Sequence, residues 1–166
     1  GDRGVYLGNG SCRVNKRRML EAHNEFRRRH NATDLIWSDP LALIAQGAAN
    51  LLGENGCQSI TSPTVGENMA WDMVLDEEAV VRKWYADHVS WDLEKQQPYA
   101  ATNWYPFAQV VWKETKQLGC GRVCCDTAEA WICRYDPAAS DHEGFDENVG
   151  PLAKEYDFST VQPPPQ

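Results

Sequence analysis

Trp104-Tyr105-Pro106-Phe107-Ala108-Gln109-Val110-Val111-Trp112-Lys113-Glu114-Thr115-Lys116-Gln117-Leu118-Gly119-Cys120-Gly121-Arg122 is the stretch that decides the fold. It reads as a short helix feeding a strand. Pro106 suits the first helical turn, where its missing N–H removes a donor that has no intrahelical partner. Phe107, Val110 and Val111 recur at i, i+3 and i+4 and so make one apolar face. Trp112 is expected to be half-buried. Gly119 and Gly121 mark the exit from the helix into a strand running through Arg122-Val123-Cys124-Cys125.

Outward from this centre the patterns are helical on one side and extended on the other. Residues 15–30 read as a helix, with Met19, Leu20, His23, Phe26 and Arg27 on adjoining faces. His23 and His30 lie two turns apart, a spacing that suits solvated or core-satisfied imidazoles better than a metal pair. Asp39-Pro40 opens a second helix as N-cap and first-turn proline, and Gly53-Glu54-Asn55-Gly56 closes it. Asp76-Glu77-Glu78 puts acids at the positive end of a third helix, which carries Val80, Val81, Trp84, Tyr85 and Val89. Residues 93–103 have no helical period and read as a loop. Strands are expected at 118–124 and 129–135, joined by a hairpin through Asp126-Thr127, with a third near 68–71. Beyond Pro137, an acidic run and Pro163-Pro164-Pro165 read as irregular. The chain thus divides into an arm (1–14), one folded domain (15–138) and a tail (139–166).

The 166 residues carry a formal net charge of −8. One domain of this length buries a substantial core. The charge disfavours nucleic acid and anionic lipid surfaces as partners. No run of about eighteen apolar residues exists, so a membrane-spanning helix is not expected. If the protein is secreted, the sequence beginning at Gly1 is expected to be its processed form. The six cysteines are Cys12, Cys57, Cys120, Cys124, Cys125 and Cys133. Cys120-x3-Cys124 lacks a nearby histidine and the paired spacing of a zinc knuckle, so disulfides are the better reading. The triplets at Asn9 and Asn31 are N-glycosylation acceptors and fit an extracellular route.

Phe107-Ala108-Gln109-Val110-Val111-Trp112-Lys113-Glu114-Thr115 followed by Leu118-Gly119-Cys120-Gly121 resembles the signature of the CAP (SCP/TAPS) superfamily, and most of all its helminth venom allergen-like members. Ala22-His23-Asn24-Glu25-Phe26-Arg27, Gly66-Glu67-Asn68-Met69-Ala70-Trp71, Lys83-Trp84-Tyr85-Ala86-Asp87 and Trp131-Ile132-Cys133-Arg134-Tyr135-Asp136-Pro137 agree, in the family's order. The resemblance implies an α+β fold: a three-layer α-β-α sandwich with a small antiparallel sheet, stapled by disulfides. It implies Cys57 paired with Cys125 and Cys120 with Cys133, which leaves Cys12 and Cys124 for the third bridge. It also implies a structural role for His23, Asn24 and Arg27.

The family's cleft carries two histidines and two glutamates that hold a divalent cation such as zinc. Carried over position by position, this tetrad falls on Thr61, Glu67, Asp87 and Pro106, so both imidazoles are missing. Asp87, at the second glutamate's position, keeps the carboxylate but is one methylene shorter. Threonine and proline are poor zinc donors, and tightly bound zinc is not expected. Glu67 and Asp87 alone could hold a hard cation weakly through water, or Glu67 could order its own loop by hydrogen bonding. His88 is no substitute for the lost imidazoles, because helical neighbours point about 100° apart. A hydrolase would need a nucleophile oriented by a base, and no such constellation is present. The chain is therefore expected to be non-enzymatic, with neither cofactor nor metal.

Tyr99-x4-Trp104-x2-Phe107 has the spacing of the caveolin-binding-like motif that sterol-binding members of the family carry in the same loop. The resemblance implies a secreted lipid-binding protein, with a sterol under Tyr99, Trp104 and Phe107 and a fatty acid as a further ligand between the first and third helices. The alternative is a venom-allergen-like effector that meets a host protein through its acidic surface.

Overall fold

The computed structural model describes residues 12–58 and 62–155. Asn15 caps α1 (Lys16–Arg29) by accepting from the Arg18 N–H. The inner face of α1 carries Met19, Ala22, His23, Phe26 and Arg27. A two-residue strand, β1 (Ile36–Trp37), precedes α2 (Asp39–Gly53). Ser38, rather than Asp39, is the N-cap of α2: its hydroxyl accepts from the Leu41 N–H, which leaves Asp39 in the first turn with Pro40. Next come β2 (Glu67–Asp72) and α3 (Glu77–Tyr85), the latter capped by Asp76. The chain tightens into a 3-10 turn (Ala86–Ser90) that leaves Val89 exposed, so Val89 is not part of the α3 core face.

Residues 93–103 are not wholly irregular. β3 (Trp91–Asp92) pairs with β4 (Gln97–Pro98) in a small antiparallel ribbon, and the Tyr99 N–H donates to the Ser90 carbonyl. α4 (Tyr105–Val111) is the core helix, shorter than its sequence pattern suggests. It stops because Trp112 turns extended, and Trp112 is 2% exposed rather than half-buried. β5 (Gln117–Cys124) and β6 (Glu129–Asp136) form the expected hairpin. The four-stranded sheet runs β1-β5-β6-β2 and is mixed, since β1 lies parallel to β5.

Alternation along the strands sends Ala130 and Ile132 to the α2 face and Trp131, Cys133 and Tyr135 to the α1/α3/α4 face. The sheet is thus the middle layer of an α-β-α sandwich. The glycines of β5 do not mark a helix exit. A Cβ at Gly119 would lie 2.2 Å from the Ala42 nitrogen, and one at Gly121 2.4 Å from the Gln46 Cα. Their bare surface lets the α2 backbone lie directly on the strand. Disulfides join Cys12–Cys124, Cys57–Cys125 and Cys120–Cys133, the pairing that the resemblance implies.

Residues 138–155 pack onto the domain instead of trailing away, whereas Pro163-Pro164-Pro165 lies outside the described residues. Ala139 and Val149 are fully buried, α5 (Phe145–Asn148) follows, and the Ala153 N–H donates to the Arg29 carbonyl. Arg27 draws several segments together. Its guanidinium donates to the carbonyls of Thr33, Val110, Trp112 and Thr115, which satisfies acceptors at the end of α4. Asn24 exchanges two hydrogen bonds with the Leu35 backbone and so fixes the approach to β1.

Candidate ligand cleft beside the aromatic loop

A cleft of about 390 Å³ opens between residues 62–65 and residues 102–106, with Asn68 and Asp141 completing it. The segment before β2 forms one wall, and the start of α4 forms the other. Tyr105 fixes the two walls to each other and to the segment after Pro137. Its hydroxyl accepts from the Gly66 N–H at 2.8 Å and donates to the Ala139 carbonyl at 2.7 Å. Gly66 has φ +85°, a left-handed conformation that favours glycine, where a Cβ would also meet Ala138 at 2.9 Å.

Asn68 sits at the head of a buried polar chain. Its Nδ2 donates to the Pro106 carbonyl at 3.2 Å and to the Tyr135 hydroxyl at 3.3 Å. The Tyr135 hydroxyl lies 2.7 Å from His23 Nε2, and His23 Nδ1 lies 2.9 Å from the Met19 carbonyl. Since a carbonyl only accepts, the proton sits on Nδ1, and Nε2 accepts from the tyrosine. Burial lowers the His23 pKa to about 4, which keeps the ring neutral. Burial likewise raises the Tyr135 pKa. His30 repeats the scheme with the Gly150 carbonyl and the Tyr85 hydroxyl. Both histidines are therefore core-satisfied.

The three described tetrad positions, Glu67, Asp87 and Pro106, do not form a metal-binding cluster among themselves. Thr61 lies outside the described residues. Pro106 offers only its carbonyl, already used by Asn68. Glu67 is 8% exposed; its carboxylate is 3.1 Å from Arg134 and accepts from the Thr64 N–H. Asp87 is half-buried in the 3-10 turn, and desolvation raises its pKa to about 6. His88 stacks on Tyr85 and is not part of the cleft lining. Among the described residues no three His, Cys, Asp or Glu side chains lie close enough to hold a metal ion. A donor set of one paired carboxylate, one half-buried carboxylate and a proline does not fit tight zinc binding.

The three aromatics of the loop motif occupy different depths. Tyr99 is 50% exposed, Trp104 is half-buried and Phe107 is fully buried. Phe107 packs in the core against Tyr85, His30 and Trp91, so it supports the loop from beneath. Trp104 leans on Trp91 at 5.5 Å and Phe145 at 5.3 Å. Sequence reasoning missed both supports, as well as Asp141 in the cleft. Phe145, a lone aromatic in an acidic run, was the available signal. Asn31 is exposed just after α1, whereas Asn9 lies outside the described residues.

Residues 20–135 match the CAP model, the cysteine-rich secretory protein family. The chain belongs to the CAP family. It is 34% identical over 127 residues to Secreted protein RBT4 of Candida albicans, covering 74% of this chain and 34% of that one. The CAP chain described here therefore spans about a third of that relative's length. It is 31% identical over 135 residues to pathogenesis-related protein 1A1 of Solanum lycopersicum, covering 80% and 77% of the two chains. Venom allergen-like protein 4 of Schistosoma mansoni shares the fold with a TM-score of 0.60 at 21% identity, covering 75% of this chain and 88% of that one. No described helix of this CAP protein is long and apolar enough to cross a membrane.

Proposed function

We propose that this CAP protein is a secreted, non-enzymatic lipid carrier that takes a sterol under the loop bearing Tyr99 and Trp104. The observation that carries the reading is the graded depth of the loop's rings. Tyr99 is half-exposed, Trp104 lies at the surface of an aromatic frame, and Phe107 anchors that frame from the core. A flat apolar ring system laid against Tyr99 and Trp104 gains about 25 cal/mol for each Å² removed from water. Secretion is supported by the name of the Candida relative and by three disulfides, which persist in oxidising compartments. The absence of enzymatic activity is supported by the neutral, structurally bonded states of His23 and His30.

Binding of radiolabelled cholesterol by the native protein and by a Tyr99→Ala/Trp104→Ala variant tests the reading. Saturable binding that falls at least tenfold in the variant is expected, with Phe107 left intact to preserve the core. Absence of binding by the folded native protein would overturn it. A second reading, an effector that meets a host protein, is favoured by the exposed carboxylates of Asp141, Glu143, Asp146 and Glu147 on one short segment.

A further inference from the structure

We infer that residues 139–149 form a strap that sets the position of the aromatic loop, with Phe145 as its positioning residue. The strap is fastened to the core at both ends. At its start, the Ala139 N–H donates to Gln109 Oε1 at 2.9 Å, and the Ala139 carbonyl accepts from the Tyr105 hydroxyl at 2.7 Å. At its end, Asn148 is 2% exposed; its carbonyl accepts from the Lys113 N–H and its Oδ1 from the Glu114 N–H. The first fastening holds α4 and the second holds the turn that follows it, so the strap spans the helix into which the loop leads. Between the fastenings Asp141, His142 and Glu143 are exposed. Gly144, at φ +77°, then turns the chain, and Phe145 packs back against the core.

Phe145 meets three indoles edge-on. Its ring lies 5.2 Å from Trp91, 5.3 Å from Trp104 and 6.3 Å from Trp112, at interplanar angles of 87°, 78° and 84°. These separations fall in the range of about 4.5–7 Å where edge-to-face pairs attract. Trp91 lies in turn 5.5 Å from Trp104, so Trp91, Trp104 and Phe145 each pack against the other two. The indole Nε1 atoms of Trp91 and Trp112 are buried with no hydrogen-bond partner among the described residues. Ring packing therefore holds this cluster, and Phe145 is the ring that the strap contributes to it. Trp104 lines the cleft whereas Phe145 does not, so Phe145 acts on the cleft through Trp104. A ring held in place beforehand loses less freedom when a ligand arrives, which makes a fixed Trp104 favourable for binding. The effect on a sterol rests on the function proposed above; the link between strap and loop does not.

Hydrogen exchange of the ligand-free protein tests that link. In Phe145→Ala, the amides of residues 99–104 should exchange at least tenfold faster than in the native protein, with α2, on the far side of the sheet, unchanged. Phe145→Leu keeps the apolar bulk without the ring, which guards against a variant that fails to fold, and should show the same acceleration. Phe145→Tyr, which keeps the ring, should restore the native rates. Radiolabelled cholesterol should bind at least fivefold more weakly to Phe145→Leu than to the native and Phe145→Tyr proteins. If the native protein binds no cholesterol while the exchange differences hold, the sterol reading fails and the strap stands. Three results would each overturn the inference: native loop rates in Phe145→Ala or Phe145→Leu; equal acceleration in α2, the mark of a general loss of stability; or native cholesterol affinity in Phe145→Leu.

Discussion

At the scale of single residues, the two buried imidazoles set how the fold responds to acid. Burial lowers both His23 and His30 to about pKa 4, with backbone hydrogen bonds to Met19 and Gly150 opposing the shift. In the unfolded chain the same rings titrate near 6.5. As pH falls from about 6.5 to 4 the unfolded state gains protons that the fold refuses, so stability is lost across that window. Each ring accounts for roughly 3 kcal/mol of that loss. Asp87 works the other way: desolvation raises its pKa to about 6, so protonation below that value favours the fold. The expected outcome is a urea midpoint that drops between pH 6.5 and 4, with a shallower slope in His30→Asn. An unchanged slope in that variant would remove His30 from the account.

At the scale of elements, the contact between α2 and β5 depends on what the strand lacks. Gly121→Ala would put a methyl 2.4 Å from the Gln46 Cα, against backbone that has no rotamer to yield. Overpacking of this kind costs about 3 kcal/mol or more. Gly47, on the outer face of α2, would meet nothing within 4 Å, and Gly47→Ala should stabilise by about 1 kcal/mol. Denaturant midpoints that move in opposite directions for the two variants are expected. If Gly121→Ala is neutral, the close approach is not what holds the layer. The same pair explains what the sequence reveals. Phe107, Val110 and Val111 announce α4 by their period, whereas β5 and β6 are buried on both faces and show no strict alternation. A strand glycine announces only a missing side chain, and the neighbour that needs the space is 75 residues away. β1 spans two residues and has no period to detect. Acidic composition hid the packing after Pro137, because the buried Ala139 and Val149 are isolated small or branched residues. In the candidate site, the motif aromatics could be found by spacing, but their depths depend on Trp91 and Phe145, which belong to other segments.

At the scale of the whole molecule, two of the three disulfides converge on one point. Cys12 and Cys57 are tied to the adjacent Cys124 and Cys125 at the end of β5, across sequence separations of 112 and 68. They fasten the start of the described chain and the end of α2 to the same hairpin. Cys120–Cys133 spans a separation of 13 and links facing strands in the core. In the chain-entropy model the two long loops each stabilise by about 4–5 kcal/mol and the short one by about 3 kcal/mol. Access runs in the opposite sense to protection. Cys124 and Cys125 are partly buried and give their bridges to the buried Cys12 and Cys57 one reachable sulfur each, whereas Cys120 is 4% and Cys133 0% exposed. Attack by a thiolate requires a path to sulfur, so the long-range bridges should open first. Graded reduction with alkylation and mass spectrometry should label Cys12, Cys57, Cys124 and Cys125 while Cys120 and Cys133 stay blocked. Opening them should lower the denaturant midpoint before the sheet's own bridge is touched. Labelling of Cys120 and Cys133 first would mean that the sheet opens more readily than its tethers, and that the core between β5 and β6 is not the most protected part of the fold.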